Sequence, residues 1–389
     1  PPPSRLLVAY LASTYGDTIK WAVAGRSPSR VQAVADTLGS GIPDVIIADS
    51  QNEEELLAMV KKTKVMASTA GPFARYGSKL VKVCAENGVD YTDITGETNW
   101  VREMIALYDD VARKSGARVV SFCGHDSIPW DLSTYMLASK LREGGEEMRK
   151  VDFYDDIDSA PSGGTLETAF AIMFGKEKAY KFTEQKKLGY DALLKTPEGG
   201  KSEFGLKAMN VGYTVSAPGH KSLPWRSFFF MAPVNANSVK RSNALNGYGA
   251  KITYVEGSSF KSFFAALFYV ISWAIYGIGV YIGPIRYLMR AFWLPKPGEG
   301  PSPEAMDNGH LYVLGVAKGD KGTVVKSTMS FEVDPGYKDT ARMLVESALA
   351  LSLDGKKIKC KGGVLTPGAC QKEVLLDRLL KTGTAFKFH

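Results

Sequence analysis

Four polar side chains in the first third of the chain are placed where they could donate a proton to a reaction. Each follows a short apolar run, and they are Tyr76, Asp93, Glu97 and Asp126. Phenol and carboxyl groups act as general acids when their surroundings bring the pKa toward neutrality. We predict these four as candidate catalytic residues; the alternative is that Asp93 and Asp126 only cap helices or tie loops together.

A basic turn and a turn of small residues could hold a dinucleotide. Gly25-Arg26-Ser27 follows the strand-like run at 19–24. Enzymes that use NAD(H) usually place an acidic residue at such a strand end, whereas arginine suits the 2′-phosphate of NADP(H). We therefore predict NADP(H) over NAD(H), with a solvated arginine as the alternative. Thr69-Ala70-Gly71-Pro72, followed by Tyr76 and Gly77, lets backbone approach a cofactor unless it is only a tight turn.

These groups lie at the ends of runs that alternate between strand-like and helical patterns, which is typical of a parallel sheet covered by helices. The predicted strands are at 19–24, 45–48, 65–69, 89–94 and 119–122, and the predicted helices are at 4–15, 28–38, 52–62, 77–87 and 100–115. Ligands bind at the carboxyl ends of such strands, so the sheet brings the candidates to one edge. Asn52, which precedes three glutamates, is the expected N-cap of its helix. We predict residues 1–123 as a Rossmann-type, doubly wound α/β domain.

The series begins with a helix, whereas a Rossmann-type sheet begins with a strand and a glycine-rich turn that cradles pyrophosphate. The chain opens Pro1-Pro2-Pro3-Ser4 where that turn should end. Proline has no amide hydrogen to donate to a phosphate. We therefore expect the first strand and the Gly-rich loop to be missing from this chain, and we expect that absence to put NADP(H) binding in doubt.

The second part of the chain has a different pattern. Residues 124–333 show longer, irregular stretches, which predict an α+β domain with a mostly antiparallel sheet. Its predicted strands lie at 150–157, 209–215, 227–231, 248–256 and 322–331. Ser162-Gly163-Gly164-Thr165 is predicted to begin a helix and to line the substrate cleft, unless it is a plain cap. Residues 334–389 are predicted as two helices, at 336–353 and 368–382, that pack back on the first domain.

Composition excludes several classes of protein. The chain has 389 residues, of which 45% are hydrophobic and 23% charged, and these values predict two globular domains and neither a disordered nor a polytopic membrane protein. The formal net charge is +7, but lysine and arginine are spread along the chain, so we predict no nucleic-acid partner. The four cysteines form no CxxC pair, so we predict no metal site and no disulfide framework, and a reducing compartment is favoured.

One segment, residues 262–285, carries no charge and is apolar around the whole circumference of a helix. At about 1.5 Å per residue it is roughly 36 Å long, enough to cross a bilayer. Nearby aromatic and cationic residues suit the membrane interface: Tyr269, Trp273, Tyr276, Tyr281, Tyr287, Trp293, Lys261, Arg286, Arg290 and Lys296. We favour a hairpin or in-plane insertion, because a single span would separate two parts of one fold. A single span and a buried core helix are the alternatives.

Several motifs, in a consistent order along nearly the whole chain, resemble one family. They are Ala24-Gly25-Arg26-Ser27, Ala70-Gly71-Pro72-Phe73 with Tyr76-Gly77, Tyr91-x-Asp93-x-Thr95-Gly96-Glu97, Cys123-Gly124-x-Asp126-Ser127-Ile128-Pro129-x-Asp131, the run at 297–302, Asp334-Pro335-Gly336-Tyr337 and Gly363-Val364-Leu365-Thr366-Pro367. The pattern resembles the saccharopine dehydrogenase-like oxidoreductases, which include the trans-acting enoyl reductases of lipid synthesis. The resemblance implies a Rossmann domain, a second domain inserted before the last helices, a nicotinamide cofactor and often an association with a membrane.

The resemblance also bears on two single residues. Asp49 follows the strand at which relatives often place a group beside the adenine, so Asp49 joins the predicted cofactor site. His125 stands where relatives usually carry an aromatic residue such as phenylalanine. We therefore do not expect His125 to be a catalytic base.

Together these patterns predict an NAD(P)(H)-dependent oxidoreductase that acts on a lipid-like or hydrophobic carbonyl or enoyl substrate. We expect it to contact a membrane or lipid surface through 262–285, inside the cell, at the mitochondrion, a lipid droplet or the endoplasmic reticulum. The alternative is a catalytically inactive family member that serves as an accessory subunit and binds other subunits of a membrane complex. A soluble saccharopine dehydrogenase is less favoured, because it has no use for such an apolar segment.

Overall fold

The computed structural model describes residues 3–38, 44–159, 189–197, 202–214, 223–292 and 300–389. The chain divides into two compact units, each assembled from segments that are distant in sequence. Unit 1 comprises Pro1–His125, Glu167–Leu193 and Tyr337–Arg378, and unit 2 comprises Asp126–Leu166, Leu194–Gly336 and Leu379–His389. The predicted domain limits, 1–123, 124–333 and 334–389, stay predictions.

Unit 1 is built from parallel strands and helices. Its strands are β1 (Ala22–Gly25), β2 (Asp44–Ile47), β3 (Val65–Ser68), β4 (Asp90–Asp93), β5 (Arg118–Val120) and β13 (Gly363–Leu365). Its helices are α1 (Pro3–Tyr15), α2 (Pro28–Ala35), α3 (Glu53–Val60), α4 (Phe73–Tyr76), α5 (Ser78–Asn87), α6 (Thr98–Ser115), α12 (Thr340–Ser352), α13 (Pro367–Cys370) and most of α14 (Lys372–Lys381).

The strands of unit 1 form two parallel sheets. One pairs β1 with β2, and the other has the order β13-β5-β4-β3. Helices α5 and α6 bury Val81, Cys84 and Trp100 against this second sheet. Helix α12 contacts β3 and β4 and packs on α1 through Val345 and Leu349. The predicted Rossmann-type parallel sheet is therefore confirmed, whereas the predicted loss of a first strand and Gly-rich loop stays a prediction.

Local sequence signals predicted some element boundaries of unit 1 and missed others. The Asn52 side chain accepts hydrogen bonds from the amides of Glu54 (3.1 Å) and Glu55 (3.4 Å), as its sequence context predicts. Helix α2 ends earlier than predicted, because residues 36–38 continue it as a tighter 3₁₀ turn. Strand β13 was not predicted, since three residues that join a sheet from the far end of the chain give no local signal.

Unit 2 contains one large sheet with helices against it. Its strands are β6 (Met148–Asp158), β7 (Glu203–Ala208), β8 (Gly212–Tyr213), β9 (Trp225–Phe228), β10 (Lys251–Phe260), β11 (His310–Gly319), β12 (Val324–Phe331) and β14 (Thr384–Phe388). Its helices are α7 (Ile128–Glu143), α8 (Ala232–Asn246), α9 (Phe263–Tyr281), α10 (Gly283–Phe292) and α11 (Pro303–Asn308).

The order of the described strands in this sheet is β14-β12-β11-β6-β10-β9-β8, and β7 also pairs with β10. Most neighbours are antiparallel, as predicted, but β10 runs parallel to both β6 and β7. Helix α7 packs on β11, where a Cβ at Gly315 would lie 2.9 Å from both Leu137 and Phe153. The chain ends in strand β14, which corrects the prediction of helices alone at the C-terminus.

Helix α9 occupies most of the uncharged segment. One of its faces packs on β9 and on the turn after it, with ring centroids 5.3 Å apart for Tyr269 and Phe228 and 4.4 Å apart for Trp273 and Phe230. The opposite face exposes an apolar stripe: Phe264, Phe268, Ile271, Ile275 and Ile278. Among the described residues α9 is the helix that is long and apolar enough to cross a membrane. Because the stripe is exposed, α9 is not the buried core helix that was one alternative.

A short second helix follows α9 and packs back on it. A Cβ at Gly279 would lie 3.0 Å from the Met289 sulfur, so the two helices approach closely there. The Arg286 guanidinium donates to the carbonyl oxygen of Val280 (2.9 Å) near the end of α9. The predicted helix start at 162–165, the interfacial residues Trp293 and Lys296, and residues 297–299 lie outside the described residues.

Candidate functional site

The turn between β1 and α2 presents cations and hydroxyls to solvent. Arg26 is exposed, and the Ser27 and Ser29 hydroxyl oxygens lie 3.4 Å apart. Arg30, also exposed, lies in the first turn of α2, which has no acidic residue. Ser27 is the N-cap, but its side chain makes no capping hydrogen bond. Positive side chains, hydroxyls and the positive end of a helix dipole together suit a phosphate group.

The packing of α2 on β1 explains why residue 25 is a glycine. A Cβ there would lie 2.9 Å from the Val31 side chain, so glycine lets α2 pack closely on β1. The Gly25 carbonyl oxygen accepts a hydrogen bond from the amide of Ala48 (3.1 Å). This bond brings the carboxyl ends of β1 and β2 side by side, so Arg26 and Asp49 lie at the same edge.

Asp49 is held rigidly at this edge. Its carboxylate accepts a hydrogen bond from the amide of Gln51 (2.9 Å), and its own amide donates to the Glu55 carboxylate (2.7 Å). The Gln51 side-chain amide donates to the carbonyl oxygen of Arg75 (3.0 Å), and the Lys79 ammonium donates to the Gln51 carbonyl oxygen (2.6 Å). The turn after β2 is thus tied to the segment after β3.

The segment after β3 is open to solvent at its small residues. Ala70 and Gly71 are exposed, and the Gly71–Pro72 peptide bond is cis. A Cβ at Gly71 would lie 3.5 Å from the Phe73 ring, an ordinary contact, so the packing of the chain does not require glycine there. The Gly71 amide donates to the Thr69 carbonyl oxygen (3.0 Å). Such a small, open turn at a strand end leaves room for a ligand to approach the backbone.

Glu97 anchors the segment after β3 through its carboxylate. It is fully buried, and its two carboxylate oxygens accept hydrogen bonds from the amides of Phe73 and Ala74 (2.9 Å for Ala74). These are the first two amides of α4, which have no partner within the helix. Gly77 packs closely against Trp100, because a Cβ at Gly77 would lie 2.8 Å from the Trp100 ring. Both Glu97 and Gly77 therefore shape the turn.

Asp93 ties the ends of β4 and β5 together. Its carboxylate accepts hydrogen bonds from the amides of Thr95 (3.1 Å) and Phe122 (3.3 Å) and from the Ser121 hydroxyl (3.2 Å). Burial raises the pKa of Asp93 to about 7, although these hydrogen bonds act in the opposite direction. The contacts agree with the structural alternative given for Asp93, while its catalytic role stays a prediction.

Tyr76 and Asp126 differ from Glu97 and Asp93 because both are only half-buried. The Arg75 guanidinium lies 5.9 Å from the centre of the Tyr76 ring. Asp126 lies two residues before α7, next to the N-cap Ser127, and burial raises its pKa to about 6. The neighbouring His125 is buried, and burial lowers its pKa to about 3, so the imidazole is neutral at pH 7. A group with so low a pKa is a weak base, and the expectation that His125 is not a catalytic base stays a prediction.

The edge of unit 1 therefore unites Gly25, Arg26, Ser27 and Asp49 with the turn at 69–72 and with Tyr76. Sequence reasoning missed Ser29, Arg30 and Gln51, which the structure adds to this edge. The signal for Arg30 was its position four residues after Arg26, in the first turn of a helix that Pro28 begins. The donor set fits an adenine dinucleotide with an extra phosphate. Within the described ranges, no group of three or more His, Cys, Asp or Glu residues could hold a metal ion.

Comparison with known proteins gives two kinds of match. Residues 4–120 match the family model described as the saccharopine dehydrogenase NADP binding domain. A trans-acting enoyl reductase of Mycobacterium tuberculosis is 35% identical over 402 residues, covering 97% of this chain and 93% of the relative. A trans-acting enoyl reductase of Mycobacterium ulcerans is 35% identical over 383 residues, covering 93% and 89%.

A solved structure has the same fold. The apo saccharopine dehydrogenase (L-Glu forming) of Saccharomyces cerevisiae aligns with a TM-score of 0.52 at 15% identity, over 99% of this chain and 98% of that one. At this low identity the match concerns the fold alone. It agrees with a Rossmann-like parallel sheet combined with a second unit that has a mostly antiparallel sheet.

Proposed function

The chain belongs to the saccharopine dehydrogenase-like oxidoreductases, the family of the trans-acting enoyl reductases, and we propose that it is an NADP(H)-dependent reductase of a lipid-like carbonyl or enoyl substrate at a membrane. The observation that carries this proposal is the group of cations and hydroxyls at the start of α2, inside a domain of the NADP-binding type. Arginine at this position favours a 2′-phosphate over free ribose hydroxyls.

Each residue of the unit 1 edge has a role in this proposal. Arg26 and Arg30, with the hydroxyls of Ser27 and Ser29, bind the 2′-phosphate of NADP(H). Asp49 and the turn at 69–72 would hold other parts of the dinucleotide, with Asp49 toward the adenine. When bound, NADPH supplies a hydride from its nicotinamide ring to the acceptor. Reduction of an enoyl or carbonyl group also needs a proton, which the protein must hold nearby.

Asp126 is the proposed proton donor. Burial raises its pKa to about 6, nearer to neutrality than that of an ordinary aspartate, and its side chain is not fully buried. Glu97 and Asp93 are fully buried and already accept hydrogen bonds from backbone amides, so they act as positioning residues. Tyr76 is the second candidate for contact with the substrate.

The membrane part of the proposal depends on the two faces of α9. A helix that must face both a protein and a lipid surface is apolar all round, and α9 packs Tyr269 and Trp273 inward while exposing Phe264 and Phe268. A helix held along the sheet in this way supports in-plane insertion over a single span. Exposed Lys261 at its start suits anionic headgroups. We propose an intracellular membrane, at the mitochondrion, lipid droplet or endoplasmic reticulum, as the location.

The proposed reaction can be tested by following the absorbance of NADPH. The full chain is mixed with vesicles that contain either an α,β-unsaturated acyl thioester or a long-chain ketone. We expect NADPH to be consumed with one of these acceptors. The variant Asp126→Asn should lower the rate roughly 10²- to 10⁴-fold, because it removes a general acid, and should leave NADPH binding unchanged.

The matched control is Asp377→Asn, which changes an exposed carboxyl group on α14. Its rate should equal that of the unaltered protein. If NADPH binds but no acceptor causes its consumption, the reductase proposal is wrong and the accessory-subunit alternative is favoured. A normal rate in Asp126→Asn would remove only Asp126 from the mechanism.

A further inference from the structure

A cleft in unit 1 lies where β4, β5 and β13 begin. Its volume is about 510 Å³, within the usual range of ligand-binding clefts, and its walls come from the segments 88–90, 113–118 and 360–362. The strands of this sheet are parallel, so the cleft lies at the edge opposite the turn at 69–72. The cleft is therefore separate from the candidate cofactor site.

Cations dominate the walls of this cleft. Arg113, Lys114, Arg118 and Lys361 line it together with a single carboxyl group, that of Asp90. The Asp90 carboxylate accepts hydrogen bonds from Arg118 Nε (3.0 and 3.1 Å) and from the Arg118 amide (2.9 Å). Asp90 therefore offsets the charge of Arg118, and three other cations remain for a ligand.

Arg113 is held in place by a buried carboxylate. Asp109 has no exposed surface, and its carboxylate accepts hydrogen bonds from Arg113 Nε (3.0 Å) and from the Val364 amide (2.9 Å). Within the part of the chain that the structure describes, the two terminal nitrogens of Arg113 make no hydrogen bond. A guanidinium fixed through Nε keeps these donors as a preformed fork, which suits two oxygens of one phosphate group.

Lys114 and Lys361 add two positive charges to the cleft. Both are exposed, and neither forms an ion pair with another described residue. Lys114 also complements the negative end of the α6 dipole, whereas Lys361 lies outside any helix. A phosphate monoester carries about −1.5 to −2 charges at pH 7, so the two lysines match its charge. A carboxylate or a phosphodiester, with a single charge, matches them less well.

The size and lining of the cleft indicate what carries the phosphate. None of the described residues that line it has an aliphatic or aromatic side chain, so the cleft does not suit an acyl chain. A Cβ at Gly116 would meet no atom within 4 Å, so there is open space beside the cations. A volume of about 510 Å³ holds more than one phosphate group. The ligand therefore has a small hydrophilic body attached to its phosphate.

We propose that this cleft binds a phosphate monoester on a small hydrophilic body, with Arg113, Lys114 and Lys361 donating hydrogen bonds to the phosphate oxygens. Two sources have this chemistry: a soluble polyol phosphate and the headgroup of phosphatidate. The site takes no part in the proposed hydride transfer, because it lies at the opposite edge of the sheet.

Calorimetric titration of the full chain with glycerol 3-phosphate, at constant ionic strength, tests the soluble source. The double variant Lys114→Gln/Lys361→Gln should bind at least roughly tenfold more weakly, because it removes two charge-assisted hydrogen bonds. The matched control Lys318→Gln/Lys387→Gln changes two exposed lysines of unit 2 and alters the net charge equally, so it should bind like the unaltered protein. Arg26→Ala should also bind normally, since Arg26 belongs to the other edge.

Flotation with phosphatidylcholine vesicles, with and without phosphatidate, tests the lipid source. The two double variants are compared at the same lipid composition, so binding through α9 is common to both. Weaker binding of Lys114→Gln/Lys361→Gln to phosphatidate vesicles supports a lipid headgroup as the ligand, and weaker binding of glycerol 3-phosphate supports a soluble one.

The proposal is wrong if the cleft variant and its control bind equally in both experiments. It is also wrong if Arg26→Ala, rather than the cleft variant, loses affinity for glycerol 3-phosphate, because the phosphate then binds at the cofactor edge. Neither experiment measures NADPH, so the phosphate site and the proposed reductase function can fail separately.

Discussion

Arg26 is a single residue that was predicted to bind the cofactor from its position alone, and the structure places further polar residues beside it. Its place after a strand predicted a contact with the 2′-phosphate of NADP(H). The structure adds Arg30 and Ser29, in the first turn of α2, beside the predicted Ser27. Ser29 gave no separate signal in the sequence, and the position of Arg30 in the first helical turn was not used, because serines and arginines at a helix start are usually solvated. Only the fold shows that they share one edge with Asp49.

Replacing Arg26 by alanine should weaken NADPH binding selectively. A hydrogen bond to a charged group contributes about 1.5–3 kcal/mol, so the dissociation constant for NADPH should rise roughly 10- to 100-fold while that for NADH changes little. Cofactor fluorescence measures both constants. The control Arg149→Ala removes an exposed arginine of unit 2 and should change neither. Equal weakening of NADPH and NADH by Arg26→Ala would show that Arg26 does not recognise the 2′-phosphate.

At the scale of elements, strands β6 and β10 place two carboxyl groups on the same buried face. Asp155 and Glu256 are both buried and hydrogen-bond to each other. The Trp130 indole on α7 donates to Asp155 (3.2 Å), and the Asn235 amide on α8 donates to Glu256 (2.6 Å). The Tyr254 hydroxyl also donates to Glu256. Two carboxyl groups in hydrogen-bonding contact must share a proton.

This pair should make stability depend on pH. Burial raises the pKa of Glu256 to about 8 from 4.5, while the neighbouring carboxylate of Asp126 acts in the same direction. Between these two values the native state binds a proton that the unfolded state lacks, so the free energy of unfolding should fall as pH rises. Glu256→Gln cannot titrate and still accepts from Asn235, so it should lose less stability across this window.

Urea unfolding at several pH values between 4.5 and 8 measures this difference. Glu304→Gln, at an exposed position on α11, is the control and should follow the unaltered protein. Parallel curves for Glu256→Gln and the unaltered protein would contradict the raised pKa.

The elements that sequence patterns predicted were the ones with strong local periodicity. The early parallel strands and the helices of unit 1 belong to this class, and so does the N-cap at Asn52. Strands β11 and β13 were missed for two reasons. β11 lies in a stretch read as irregular, and β13 has only three residues. Strand β14 was missed because its pairing with β12 joins residues 53 to 61 positions apart, which no local pattern records.

At the scale of the whole molecule, α9 and α10 carry a large exposed apolar surface. Uniform apolarity in the sequence could not distinguish a core helix from a membrane helix. The structure shows two different apolar faces, one on the sheet and one exposed. Exposed apolar surface of this extent is rare in soluble monomers and marks an interaction site. A bilayer surface is the proposed partner, since aromatic residues and Lys261 accompany the stripe.

Replacing Phe264 and Phe268 together by serine should release the protein from vesicles that contain an anionic lipid. Both side chains are largely exposed, at 78% and 72%, so the fold should persist. Burial of each ring in the membrane contributes about 1.5–3 kcal/mol, so the partition coefficient between vesicles and water should fall at least roughly 100-fold. Vesicle flotation measures it, with circular dichroism as the test of folding.

The matched control replaces two exposed apolar residues elsewhere, Val324 and Leu353, by serine. This double variant should float with the vesicles like the unaltered protein. If the unaltered protein itself stays with the soluble fraction, the membrane-binding proposal is wrong, and the stripe must serve another partner.

The central claim, that this chain binds NADP(H) as an oxidoreductase of its family, is tested most directly by titrating the full chain with NADPH and with NADH. Protein and cofactor fluorescence report binding in each case. We predict micromolar binding of NADPH, with NADH bound at least about tenfold more weakly because it lacks the phosphate that Arg26 recognises. Dissociation constants above about 1 mM for both cofactors would contradict the claim.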